Sequence, residues 1–295
     1  MTLPELLRRN QTAAFFVLAY GISWACWVPI VLVSKKVVPI GLPIPVMLGV
    51  ILAGIFGPGL AAILLTYALE GKKGLSGLLK SLARRHVGAR WYLAALFLPL
   101  ILGLASLGIF YLLGGHAAMP DLFDPMTPLL FIGMFIFQLI IGGALGEEPG
   151  WRGFALPRLL SGHSALVATL ILGSLWCLWH APLFFIAGTG QSTIPFWIFI
   201  PGTFAFAFTF TWLYISTKGN LLIMLLLHAA INTTDSALPI IAPLARGEWR
   251  PAALFVGVFI LAAVIILASK PAVFLKRPAR EKIVVLPLMP ESVDE

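Results

Sequence analysis

Residues 91–114 read WYLAALFLPLILGLASLGIFYLLG, a run without one charged side chain. A helix of that length reaches about 36 Å, enough to cross a hydrocarbon layer of about 30 Å. Backbone groups in lipid must satisfy one another, and a single helix does this within itself. Comparable runs occupy roughly 12–33, 44–69, 128–146, 165–187, 194–215, 220–242 and 251–268. The expected architecture is therefore all-α, a polytopic membrane helix bundle of about eight transmembrane helices.

Composition agrees. Hydrophobic residues make up 60% of the 295-residue chain and charged residues 11%, against about 25% charged in a soluble domain. One or two soluble cores could not hide that much apolar surface. Cys26 and Cys177 stand alone in apolar runs with no CxxC, and read as small core residues. The net charge of +8 comes from basic residues in short connecting segments, which suits membrane topology better than nucleic-acid binding, so no nucleic-acid partner is expected. Arg8 and Arg9 precede a run too long for a signal-peptide core, which reads as a retained first span.

With the N-terminus inside, sixteen Lys and Arg fall on the inner side and four (Lys35, Lys36, Arg246, Arg250) on the outer side. The positive-inside rule then puts both termini in the cytoplasm, with a bacterial inner membrane as the expected location. Gly71–Arg90 carries six basic residues among helically spaced leucines and suits an anionic lipid surface. Residues 1–270 read as one transmembrane domain and 271–295 as a mobile tail.

Charged groups at the bilayer centre cost about 2.5–3.5 kcal/mol each, so those present need a reason. Glu147 and Glu148 end the fourth span, His180 lies in the fifth, and His228, Asn232 and Asp235 lie in the seventh. In Gly146-Glu147-Glu148-Pro149-Gly150-Trp151-Arg152, Glu148 and Arg152 are four apart and can pair on one helix face. This leaves Glu147 free, and Pro149 is expected to break the helix and turn Glu147 off its axis. In Trp176-Cys177-Leu178-Trp179-His180-Ala181-Pro182, an apolar setting favours the neutral imidazole, able to accept a proton or bind a metal. In His228-Ala229-Ala230-Ile231-Asn232, the spacing of four puts two hydrogen-bond donors on one face beside small residues that admit a neighbouring helix. Each motif alone also fits an ordinary packing role.

Together the three motifs resemble the type II CAAX prenyl endopeptidase and bacteriocin-processing family of intramembrane peptidases (CPBP, Abi-like). Its pattern is EExxxR, FxxxH and HxxxN or HxxxD on separate membrane helices. The pattern is met by Glu147-Glu148 with Arg152, by Trp176 with His180, and by His228 with Asn232, within about 125–245. Trp176 stands where phenylalanine is usual, an exchange that touches pocket shape more than chemistry. The resemblance implies an active site between helices four, five and seven. Glu147 and His180 would activate water, His228 and Asn232 would stabilise an oxyanion, and Glu148 and Arg152 would support them. Glu147, His180 and His228 could instead form a zinc site with one open position and Glu148 as spare base. The metal-free version is preferred, because Asn232 sits naturally beside His228 as an oxyanion donor. HExxH is absent, as is GxGD.

The expected partners are membrane lipids and a peptide or small-protein substrate. Two other classes fit less well: a non-catalytic peptide-binding immunity protein, and a proton-coupled transporter, for which no inverted repeat is seen. One difficulty is depth. Counted from the span starts, His180 lies about 22 Å in and His228 about 12 Å in, while Glu147 lies near the inner end of its span. A shared site needs shifted spans, for instance a surface helix around Pro157 that delays the fifth span.

Overall fold

The computed structural model describes residues 7–121 and 123–276. These form helices and turns, with no strand among the described residues. The helices are α1 (Gln11–Ser34), α2 (Ile44–Ile55), α3 (Gly57–Ser81), α4 (Ala89–Leu112), α5 (Met126–Ile140), α6 (Ala144–Gly150), α7 (Leu156–Gly162), α8 (Ala165–Trp179), α9 (Phe196–Ser216), α10 (Leu221–Ala237), α11 (Arg250–Ser269) and α12 (Pro271–Leu275). Among the described residues, seven helical segments are long and apolar enough to cross a membrane, or up to 8 if the bent pair α2–α3 is one span. The chain is a multi-pass helical membrane protein, as its apolar runs require.

The second expected span is bent by 43° between Ile55 and Gly57. The bend presents backbone rather than side chains to α6. A Cβ on Gly59 would stand 2.7 Å from the carbonyl oxygen of Gly146, and one on Gly146 would stand 2.9 Å from that of Ile55. In lipid, where apolar side chains gain little by leaving solvent, such close packing of small residues holds helices together. α1 adds hydrogen bonds across the bundle. Ser23 Oγ donates to Gly54 O at 2.7 Å, Trp27 Nε1 to Ile51 O at 2.9 Å and Trp24 Nε1 to Trp179 O at 2.9 Å.

The fourth span departs from expectation. Its break lies at Gly142–Gly143, not at Pro149. Gly143 takes φ 139°, which side-chain-bearing residues rarely adopt and glycine adopts at little cost. Pro149 sits inside α6, and the π turn Trp151–Ala155 directly after it widens the helix locally. Helix then continues through α7 to Gly162. In α7, Leu156, Leu159 and Leu160 are buried and form one face at i, i+3, i+4 spacing.

This continuity settles the depth difficulty for Glu147 and His180. Glu147 stands fifteen residues before Gly162, and His180 stands fifteen after Ala165. Helices running antiparallel from one short turn therefore carry both about 22 Å from it. α8 starts at Ala165 without a delay, with Ser164 capping it through Val167 N. α10 begins where expected, after Asn220. Its N-cap Asn220 is itself buried, accepting from Ile223 N at 3.1 Å and donating to Arg84 O at 2.8 Å.

α3 passes through a kink at Gly71 and runs on to Ser81, so the basic segment is half helix and half loop. Arg158 does not serve as an exposed loop charge. It bonds Glu70 Oε1 and Gln11 Oε1, each at 2.8 Å, and ties α7 to α3 and α1. Of the tail 271–295, Pro271–Leu275 form α12, with Phe274 buried near Phe208, and 277–295 lie outside the described residues.

The α2/α3–α6 contact can be tested with Gly59→Ala. The added methyl meets a backbone carbonyl that cannot swing aside, so a loss of about 1–3 kcal/mol is expected in detergent unfolding. Gly108→Ala on α4, where a Cβ meets nothing within 4 Å, should be neutral or stabilising by up to about 1 kcal/mol.

Candidate active site

α6, α8 and α10 bring the sequence motifs to one cavity of about 750 Å³, lined by Glu147, Trp176, His180, His228 and Asn232 among others. Glu148 lies behind it, with no exposed surface. Its Oε1 accepts from Arg152 Nη1 at 2.8 Å and from His228 Nδ1 at 2.7 Å. The i, i+4 pair expected from sequence is formed, and it also reaches across to α10. Arg152 is equally buried, and its guanidinium lies 3.9 Å from the centre of the Phe210 ring and 4.4 Å from that of Trp176. Cation–π attraction thus covers the parts of the cation that Glu148 does not reach. Both contacts are to Oε1, and Glu148 does not line the cavity.

Glu147 faces the cavity, but it is not free. Its Oε2 accepts from Trp176 Nε1 at 2.7 Å and from Trp151 Nε1 at 3.1 Å. Its Oε1 points to Gly143. A Cβ placed there would stand 3.0 Å from Glu147 Oε1, 3.1 Å from His228 Nε2 and 3.6 Å from Asn232 Nδ2. Three polar atoms from two helices therefore converge on a point kept clear because residue 143 has no side chain.

The two histidines are oriented by their other nitrogens. A carbonyl only accepts, so the 2.8 Å contact from His180 Nδ1 to Trp176 O is an Nδ1–H donor, leaving Nε2 with the lone pair in the neutral ring. By the same logic His228 gives its Nδ1–H to Glu148. Its Nε2 accepts in the neutral ring and donates when the ring carries both protons. α8 ends here, because Pro182 cannot continue the helical ladder and a 3₁₀ turn follows over Ala181–Phe185.

Asn232 is held loosely. Its Nδ2 lies 3.5 Å from Gln138 Oε1 and 3.4 Å from Gly142 O, both long for hydrogen bonds. The amide can turn to a better acceptor at small cost. Asp235 lines the same cavity, with Ser236 Oγ donating to its Oδ1 at 3.0 Å.

Among the described residues, no three of His, Cys, Asp and Glu are grouped to hold a metal ion. The donor set Glu147, His180 and His228 is therefore not arranged as a zinc site among the described residues. Sequence reading missed Gln138, Gly143 and Trp151. Gln138 could have been flagged as the lone amide in the apolar run 128–141. The other two had no signal of their own.

A buried carboxylate, two oriented histidines and a weakly bonded amide thus meet in one cavity of a membrane helix bundle. Residues 127–234 match the family model described as type II CAAX prenyl endopeptidase, Rce1-like. CAAX prenyl protease 2 of Methanococcus maripaludis is 28% identical over 193 residues, which cover 62% of this chain and 65% of that protein. The match thus spans just under two thirds of the curated relative. Over residues 127–234 the chain is thus similar to the Rce1-like type II CAAX prenyl endopeptidases.

The convergence on Gly143 predicts the effect of Gly143→Ala. The positive φ and the crowded Cβ should together cost about 1–3 kcal/mol of stability. A variant that unfolds at the wild-type midpoint would contradict this backbone geometry.

Proposed function

We propose that the protein is an intramembrane endopeptidase that hydrolyses a peptide bond at or within the membrane. The observation that carries this reading is the meeting of Glu147 Oε1, His228 Nε2 and Asn232 Nδ2 beside Gly143, within a cavity large enough for a peptide segment. The similarity to the Rce1-like peptidases agrees with it.

Glu147 Oε1 takes a proton from a water in the chamber, and His180 Nε2 accepts that water's second hydrogen bond and orients it. The resulting hydroxide attacks the scissile carbonyl carbon. The oxyanion is met by Asn232 Nδ2–H and by His228 Nε2–H in the doubly protonated ring, whose charge the Glu148 carboxylate balances. The proton held by Glu147 then passes to the leaving amine as the C–N bond breaks. One water is consumed, and a carboxylic acid and an amine are released. The substrate is a peptide or small protein that reaches the chamber from the membrane. The distribution of basic residues supports both termini on the cytoplasmic side.

Purified protein in lipid vesicles, assayed with a quenched fluorescent peptide library, tests the reading. Glu147→Gln should lower cleavage by about 10²–10⁴-fold while the protein still inserts and folds. Wild-type turnover by this variant would sink the proposal. Asn232→Ala should lower kcat by about 10²–10³-fold, as expected for one oxyanion donor, with KM little changed. A change in KM alone would instead make Asn232 a binding group.

A further inference from the structure

Glu147 is held by two indoles, and nothing in the hydrolysis scheme uses them. Both donate to the same oxygen. Trp176 Nε1 reaches Oε2 at 2.7 Å from α8, and Trp151 Nε1 reaches it at 3.1 Å from the turn after α6. The resembling sequence pattern has phenylalanine at the position of Trp176, and phenylalanine keeps the ring but has no N–H to give. The exchange in this chain therefore adds a hydrogen bond at the base itself.

We propose that Trp151 and Trp176 form an indole clamp that positions Glu147, fixing Oε2 so that Oε1 alone is presented to water beside Gly143. A clamp of this kind has two consequences. Two donors arriving from different helices leave the carboxylate one rotation, so the reactive oxygen is set before substrate enters. Neutral N–H donors also stabilise the ionised carboxylate without placing a formal charge against it. Arg152, stacked 4.4 Å from the Trp176 ring centre, draws electron density from the indole and strengthens its N–H as a donor.

The charged and titratable groups whose fields reach Glu147 are His180 on α8, His228 on α10 and Arg152 in the π turn, with Glu148 as its chain neighbour. Substituting either tryptophan leaves all of them in place. Trp179 supplies the control. Its ring packs on Trp151 and His180, but its Nε1 has no hydrogen-bond partner among the described residues.

This role rests on Glu147 being the base. The test measures kcat and KM at one pH for one library peptide that the wild type cleaves, using Trp176→Phe, Trp151→Phe and Trp179→Phe. Trp176→Phe should lower kcat by about tenfold and leave KM within about twofold. Trp151→Phe, losing the longer bond, should lower kcat by less, again with KM little changed. Trp179→Phe should leave kcat within about twofold of the wild type. If Trp176→Phe does not fold, Trp151→Phe carries the same test on the same oxygen. A rise in KM with kcat unchanged, or an equal fall in kcat in Trp179→Phe, overturns the clamp. If Glu147→Gln is inactive while Trp176→Phe matches wild type, the clamp fails alone. If Glu147→Gln cleaves normally, the peptidase assignment to Glu147 fails first.

Discussion

Glu148 holds a carboxylate where no water reaches it, and the candidate site is arranged around that charge. An ionised group in such a place would cost several kcal/mol if left alone. Here a single oxygen is met by Arg152 from the same helix and by His228 from α10. Each contact removes part of the penalty, and each also fixes geometry. Arg152 is drawn over Trp176 and Phe210, and His228 is turned so that its Nε2 faces the chamber. Removing the carboxylate would leave a cation buried without its counterion, so the three groups stand or fall together.

The rest of the fold can be read as what brings that charge to its partners. α6 must approach the α2–α3 bend closely, and the facing backbones at Gly59 and Gly146 permit it. The break at Gly143 starts α6 at the right point. The helix through the π turn and α7 then sets Glu147 level with His180 across the turn into α8. A membrane makes these constraints strict. Polar groups that miss their partners find no water to replace them.

Much of this was legible in the sequence, because it depends on short-range rules. Long apolar runs give spans almost directly, since lipid accepts an apolar helix whatever its neighbours are. The Glu148–Arg152 pair follows from i, i+4 spacing, and the shared face of His228 and Asn232 follows likewise. What stayed hidden depends on three-dimensional choice. Pro149 and Gly142–Gly143 both offered a break. The backbone took the glycine pair because a positive φ is cheap there, while a π turn relieved the proline. Depth along the membrane was misjudged for the same reason, since a span taken to end at 146 in fact continues as helix to 162. Trp176 was read as a ring filling space, and only its placement shows that its N–H reaches Glu147.

The dependence of the site on Glu148 is best tested by a double-mutant cycle between Glu148 and His228, read as unfolding free energy in detergent for wild type, Glu148→Gln, His228→Gln and the double variant. A direct hydrogen bond between buried groups predicts a coupling of about 0.5–3 kcal/mol, with the double variant losing clearly less than the sum of the singles. Additive losses would mean that the two residues do not meet, and would contradict the arrangement of the site around that carboxylate.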